Sequence, residues 1–189
     1  MSVEYALEDE VALITLNRPD RFNAIDSSLS KGLRLALERA GGESRAAILT
    51  GAGKAFCSGA DLNVLLADYE EGDGPDLSAL LENVFHPAVQ ALLDCRVPVV
   101  GAINGVAAGA GLGLALACDV RIMAEEAFLT SAFTAIGLAP DSGTTWWLSH
   151  DLGVSRALEF ALTNRRMDAA EARDLGLCAD VVAGHSLLT

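Results

Sequence analysis

The stretch that most constrains this chain is Val97 to Val120, VPVVGAINGVAAGAGLGLALACDV. A short apolar run, Val97 to Ile103, meets the turn pair Asn104-Gly105. Small residues follow from Ala107 to Gly111, and an apolar helical pattern runs on to Cys118, closed by Asp119. The pattern predicts a buried strand, a tight turn, and a helix whose first turn carries almost no side chain. Such a helix start leaves backbone N–H groups unpaired, and the helix dipole adds partial positive charge there. Either the small residues serve close helix–strand packing alone, or they leave those amides open to a ligand.

A second turn of the same character precedes it. Ala46 to Thr50 (AAILT) runs into GAGKAFCSGADL, Gly51 to Leu62, and Asp61 then opens another helical pattern. Two such units can aim two backbone amides at one oxygen, the geometry that stabilises charge developing on a carbonyl. Nucleotide-binding readings fail on spacing. In GAGK the residue after Lys54 is Ala55, and Ile48 stands where the first P-loop glycine belongs. GAGLG at 109–113 lacks the last glycine of a dinucleotide fingerprint, which falls at Leu114.

KAFCSGADL (Lys54 to Leu62) and INGVAAGAGLGLALACDV (Ile103 to Val120) resemble the two hallmark segments of the crotonase superfamily, the enoyl-CoA hydratase/isomerase family. NRPDRFNAID (Asn17 to Asp26) and GLAPDSGTTWWL (Gly137 to Leu148) resemble two more, in the family's order. Within the family, PDSGTTWWL most resembles the phenylacetate-pathway isomerase group. The resemblance implies an α/β fold wound as a spiral of ββα units, and an acyl-CoA thioester as substrate. It implies a homotrimer or a dimer of trimers. It implies no cofactor, coenzyme A entering as part of the substrate. Family members usually continue through further helices that support trimerisation, and on that pattern the ending GHSLLT reads as a truncated C-terminal helical extension.

The rest of the chain agrees with a single domain spanning residues 1–189. With 189 residues, 18 glycines and 51% apolar residues, it has enough material for one substantial core. A formal net charge of -13 and the lack of a basic stripe argue against nucleic acid. The same charge opposes the phosphates of coenzyme A, so local cations must offset it; Arg21 and Lys54 are the candidates. Cys57, Cys95, Cys118 and Cys178 have no CxxC spacing, and His86, His150 and His185 are scattered, so no metal site is expected. The cysteines read as reduced residues of a cytoplasmic protein. The start, MSVEYALEDE, has no signal-peptide core, and the longest apolar stretch is broken by Asn104 and its glycines; no membrane span is expected.

Taken in order, Val11 to Leu16 reads as a strand with a turn at Arg18-Pro19-Asp20. Asp26 or Ser27 caps a helix with apolar positions Leu29, Leu33, Leu35 and Leu37, ending at Gly41-Gly42. Ala46 to Leu49 is a strand, Asp61 to Tyr69 helical, and Glu70 to Asp76 a charged loop. Leu77 to Cys95 has helical periodicity, with Pro87 a kink or break. Helix Gly109 to Ala117, strand Val120 to Ala124 and a short strand Phe128 to Thr130 follow. Gly143 to His150, Ser155 to Leu162 and Ala169 to Leu175 read as helices, and Ala179 to Val182 as the last strand. Short strands alternating with helices place the chain in the α/β class.

By resemblance, the amides of Ala60 and Ala110 are the catalytic oxyanion donors. Arg21, Phe22, Ala24, Ser58, Asp61 and Leu62 border the ligand, with Gly113, Phe133, Leu138 and Pro140. Hydratases of the family carry glutamates at the positions of Gly113 and Phe133, and neither residue moves a proton. Asp141 stands where the family's isomerases carry their acid, and a single carboxylate suffices to move a proton between C2 and C4 of an enoyl thioester. Two roles stay open for it. Pro-Asp-Ser-Gly before a helix is also a common cap, which would lower the Asp141 pKa, whereas an apolar pocket of Phe133, Leu138 and Trp146 would raise it. Ser142 and Thr144 have no histidine partner in the motif, so a nucleophilic triad has no support. The function expected is double-bond isomerisation of an enoyl-CoA. The alternatives are a hydratase with a non-standard water site and a non-catalytic acyl-CoA-binding subunit.

Overall fold

The computed structural model describes residues 1–63, 74 and 76–189. The later part of the helix expected from Asp61 to Tyr69 and most of the loop from Glu70 to Asp76 lie outside the described residues.

The chain moves back and forth between two sheets. β1 (Val3–Glu8) and β2 (Val11–Leu16) form an antiparallel hairpin, and β2 then runs parallel to β3 (Ala46–Gly51). β5 (Val99–Ile103), β7 (Val120–Ala124) and β10 (Asp180–Val182) extend that sheet, all parallel. A smaller sheet holds β4 (Ala55–Cys57), β6 (Val106–Ala108) and β8 (Phe128–Thr130) in parallel, edged by the antiparallel β9 (Met167–Asp168). Thus β3 and β4, β5 and β6, and β7 and β8 each give one strand to each sheet, and each turn of chain stacks on the one before. This is the crotonase spiral.

Seven helices described here cover the sheets. α1 (Ser27–Glu43) starts at Asp26, whose carboxylate accepts from the Leu29 amide at 2.8 Å. Its buried face is Leu29, Leu33, Ala36, Leu37 and Ala40; Leu35 points to solvent, contrary to expectation. The helix also runs through Gly41 and Gly42 and ends at Ser44, whose amide and hydroxyl both return to the Ala40 carbonyl. α2 (Leu77–Leu80) and α3 (His86–Leu93) are joined by a turn of π-helix, Leu81–Phe85. Pro87 stands in the first turn of α3, just after the π-turn that interrupts the α-helical pattern. Its missing N–H is accommodated by the widened turn, and the Val84 carbonyl accepts the Ser30 hydroxyl at 2.6 Å.

α4 (Ala110–Ala117) is buried along all of its eight residues, as an apolar helix between layers must be. α5 (Thr144–Leu152), α6 (Val154–Thr163) and α7 (Ala169–Asp174) complete the chain, close to their expected bounds. Among the described residues no helix is long and apolar enough to cross a membrane.

Four strands escaped the sequence reading. β1 carries acidic residues on its exposed side, and β4, β6 and β9 are too short to display a period of two. β4 and β6 sit inside the two glycine-rich segments, where small residues read simply as turn.

Candidate active site

The two glycine-rich turns meet. Gly59 has φ +96°, and a Cβ placed there would lie 2.8 Å from the Ala108 carbonyl oxygen and 3.3 Å from the Ala110 nitrogen. Only glycine suits both the backbone angle and the approach. Gly109, with φ +54° and ψ −128°, turns β6 into α4 and offers no side-chain cap. Ala110 therefore opens α4 with its amide pointing out of the helix start. On the other turn, Ile25 donates to the Gly59 carbonyl and accepts from Asp61, leaving the Ala60 amide between them unused by that bridge. Among the described residues neither Ala60 nor Ala110 donates to a turn, loop or cap acceptor.

Both residues line a cleft of about 750 Å³. Arg21, Phe22, Ala24, Ser58, Asp61, Leu62, Phe133, Leu138, Pro140 and Asp141 line it too. The structure thus gathers onto one cleft residues spread over more than half the chain. Three residues weighed from the sequence are absent from its wall. Lys54 is exposed elsewhere, Trp146 is 63% exposed on the outer side of α5, and Gly113 is buried within α4. A Cβ on Gly113 would lie 2.6 Å from the Ser142 carbonyl oxygen and 2.8 Å from Ser142 Cβ, so the 141–143 turn covers that position. No side chain fits there.

The sequence reading missed a whole wall. Leu77, Leu80, Leu81 and Phe85 of α2 and the π-turn line the cleft, as do Ile136 and Leu138. Their periodicity was legible, but which surface they would cover was not. A larger groove of about 920 Å³ runs between α1 and α3, lined by charged and apolar residues alike, and contains none of the expected site residues.

Asp141 is not the cap of α5. Its main-chain carbonyl accepts from the Thr144 amide at 2.9 Å and hydroxyl at 2.7 Å, while Gly143 occupies the cap position. The carboxylate is left for the cleft. Burial pushes its pKa up from the ordinary value, outweighing the Ser142 hydroxyl and the charge of His86, which both pull it down. The result is a stronger base than an exposed aspartate.

Asp61 is the opposite case. It is 6% exposed, and burial alone would raise its pKa, but bonds from the Arg18 guanidinium and from Asn63 hold it below the usual carboxylate range. Arg18 reaches Asp61 at 2.8 Å and Asp26 at 3.1 Å, and also donates to the Ala24 carbonyl. The buried Asn23 completes this fastening. It accepts from the Arg18 amide and donates to the Ala52 and Ala55 carbonyls, tying the 18–26 loop to the first glycine-rich turn. Cys57 donates to the Asn23 carbonyl, and burial pushes its thiol up to about 12, so it is no thiolate nucleophile at neutral pH.

Arg18→Met should cost roughly 3 kcal/mol in urea unfolding at neutral pH, because Asp61 is left buried and unpaired. Asp61's depressed pKa contributes stability that is present above its unfolded value and lost as pH falls through its folded one. The deficit of the variant should therefore shrink at acid pH. An equal deficit at both pH values would contradict the ion-pair account.

Comparison with known proteins identifies the family. A family model described as enoyl-CoA hydratase/isomerase matches residues 6–189. A relative from Rhodobacter capsulatus, named "probable enoyl-CoA hydratase", is 44% identical over 96% of this chain and 68% of its own. The 1,2-epoxyphenylacetyl-CoA isomerase of Escherichia coli is 39% identical over 96% of this chain and 70% of its own. The solved structure of an enoyl-CoA hydratase from Bacillus anthracis superposes with a TM-score of 0.91 at 36% identity, covering 99% of this chain and 72% of that one. With the spiral of paired strands and the two facing glycine turns, these matches establish that the chain belongs to the enoyl-CoA hydratase/isomerase family of the crotonase superfamily.

Proposed function

We propose that the domain binds an acyl-CoA thioester in the cleft of about 750 Å³ and shifts the double bond of an enoyl-CoA. The thioester oxygen accepts from the Ala60 and Ala110 amides, which stabilise the enolate. Asp141 takes the proton from C4 and returns it at C2, or the reverse, so that no atom is gained or lost. Arg21 and Phe22 meet the coenzyme A portion, while the Leu77–Phe85 wall and Leu138 enclose the acyl chain. The observation that carries the reading is one half-buried carboxylate, not used as a helix cap, sharing a cleft with two amides that among the described residues donate to no turn, loop or cap acceptor. Polarisation by those amides makes no call on a metal or redox cofactor.

Support for isomerisation over hydration lies at Gly113, where Ser142 leaves no space for the second carboxylate that paired water addition requires. The isomerase name of the Escherichia coli relative points the same way, while the hydratase name of the Rhodobacter relative favours water addition. A 3-enoyl-CoA assay separates them. Rising conjugated enoyl-thioester absorbance without hydroxyacyl-CoA supports isomerisation; accumulating hydroxyacyl-CoA supports hydration. Tight acyl-CoA binding with neither product supports the binding-subunit reading.

The exposed Val154, Leu158 and Leu162 form an apolar stripe along α6, which supports a homotrimer or dimer of trimers, testable by light scattering. Four free cysteines favour a reducing compartment, the cytoplasm.

A further inference from the structure

Ser142 is an unusual neighbour for the carboxylate. It is 2% exposed, and its Oγ donates to Asp141 Oδ1 at 2.7 Å. Its backbone has φ +51°, and Gly143 follows at φ +77°. A serine enters that left-handed region only where surrounding contacts hold it. Here three do. The missing side chain of Gly113 makes a seat in α4 for the Ser142 backbone and Cβ. Thr144 returns two hydrogen bonds to the Asp141 carbonyl. The Trp147 ring closes over Gly143, so that a Cβ there would lie 2.9 Å from the ring carbon Cε3.

We propose that Ser142 is the positioning residue of the proton-transfer site: seated on Gly113, its hydroxyl engages Oδ1 of Asp141 and leaves Oδ2 as the oxygen that takes and returns the proton. The strained turn has a purpose on this account, since a relaxed backbone at 142 would carry the hydroxyl away from the carboxylate. The substrate in this statement rests on the isomerase reading above; the hold of Ser142 on the carboxyl does not.

The charged groups around Asp141 are His86 at the start of α3, and Asp20, Arg21 and the Arg18-paired Asp61 along the cleft. None changes when the hydroxyl is removed, so any movement in Asp141 titration reports Ser142 itself. Because the hydroxyl bond stabilises the charged form, its loss must raise the carboxyl pKa further.

The test is carbon-13 NMR titration of protein labelled at its aspartate carboxyls, with the Asp141 signal assigned by Asp141→Asn. Wild type is compared with Ser142→Ala and Ser142→Gly, the second of which suits the left-handed backbone. Both variants should move the Asp141 midpoint to higher pH, and with it the acid limb of the kcat profile. Turnover should fall between about 10- and 100-fold, with KM changed by less than about threefold. An unmoved midpoint in both variants overturns the proposal, as does a shift in Ser142→Ala that Ser142→Gly abolishes, which would trace the effect to backbone strain. Turnover surviving in Asp141→Asn sinks the isomerase reading instead, and the NMR midpoint still decides what Ser142 does.

Discussion

Asp141→Asn should reduce isomerase turnover by about 10²- to 10⁴-fold while leaving acyl-CoA affinity close to that of wild type. The amide keeps the shape of the side chain and still accepts from the Ser142 hydroxyl, but it neither takes up nor releases a proton at the pH of the assay. The same change should raise stability. The folded pKa of Asp141 lies above its unfolded value, so its ionisation opposes folding. Its contribution is fully present below the ordinary aspartate range and lost as pH rises through the folded value. Asp141→Asn should therefore gain in thermal midpoint at neutral pH and lose that gain when both states are protonated. A variant that is inactive and less stable at neutral pH would mean that Asp141 serves the fold. A variant that is active and more stable would leave the proton shuttle without a residue.

Gly111→Ala should destabilise the domain by about 3 kcal/mol despite the better helix propensity of alanine. Gly111 lies in α4 directly against β4. An added Cβ would overlap the Cys57 carbonyl oxygen and stand 2.7 Å from its carbonyl carbon and 2.8 Å from its Cβ. A strand backbone buried along its whole length cannot step aside as a flexible side chain would. Any relief must push α4 away from β4, separating the Ala110 amide from the Ala60 amide, so activity should fall with stability. Gly42→Ala supplies the contrast. That glycine is also helical, in α1, but a Cβ there meets nothing within 4 Å. It should gain roughly 0.5–1 kcal/mol. Urea midpoints that move in the same direction for both variants would show that propensity, rather than the approach of α4 to β4, sets these energies.

Much of the fold was legible because glycine-rich segments leave few options. Ala46 to Leu62 and Val97 to Val120 announced strand, turn and helix, and the resemblance they carried led to the spiral. What misled was local. Leu35 fits the apolar list of α1 but faces water, since the helix buries the stripe through Leu33, Ala36 and Leu37. Gly41-Gly42 resembles a stop signal, yet the helix continues until Ser44 satisfies the Ala40 carbonyl. Of the pocket residues that would raise the Asp141 pKa, Trp146 is not one: α5 turns it outward and brings Trp147 onto Gly143 instead.

The candidate site divides in the same way. Sequence by itself determined which groups were available: two small-residue turns, one acid in Pro140-Asp141-Ser142, and glycine and phenylalanine where the resemblance puts the glutamates of the hydratases. Those are properties of residue type and spacing, which a string of letters carries in full. Only the tertiary structure decided where the acid's carboxylate sits. Whether Asp141 caps a helix or faces a cleft depends on which of its oxygens Thr144 reaches, and whether its pKa rises or falls depends on how much water is removed around it. The fastening by Arg18 and Asn23 and the bond from Ser142 to Asp141 became visible only in three dimensions, because electrostatics and desolvation are set by distance through space.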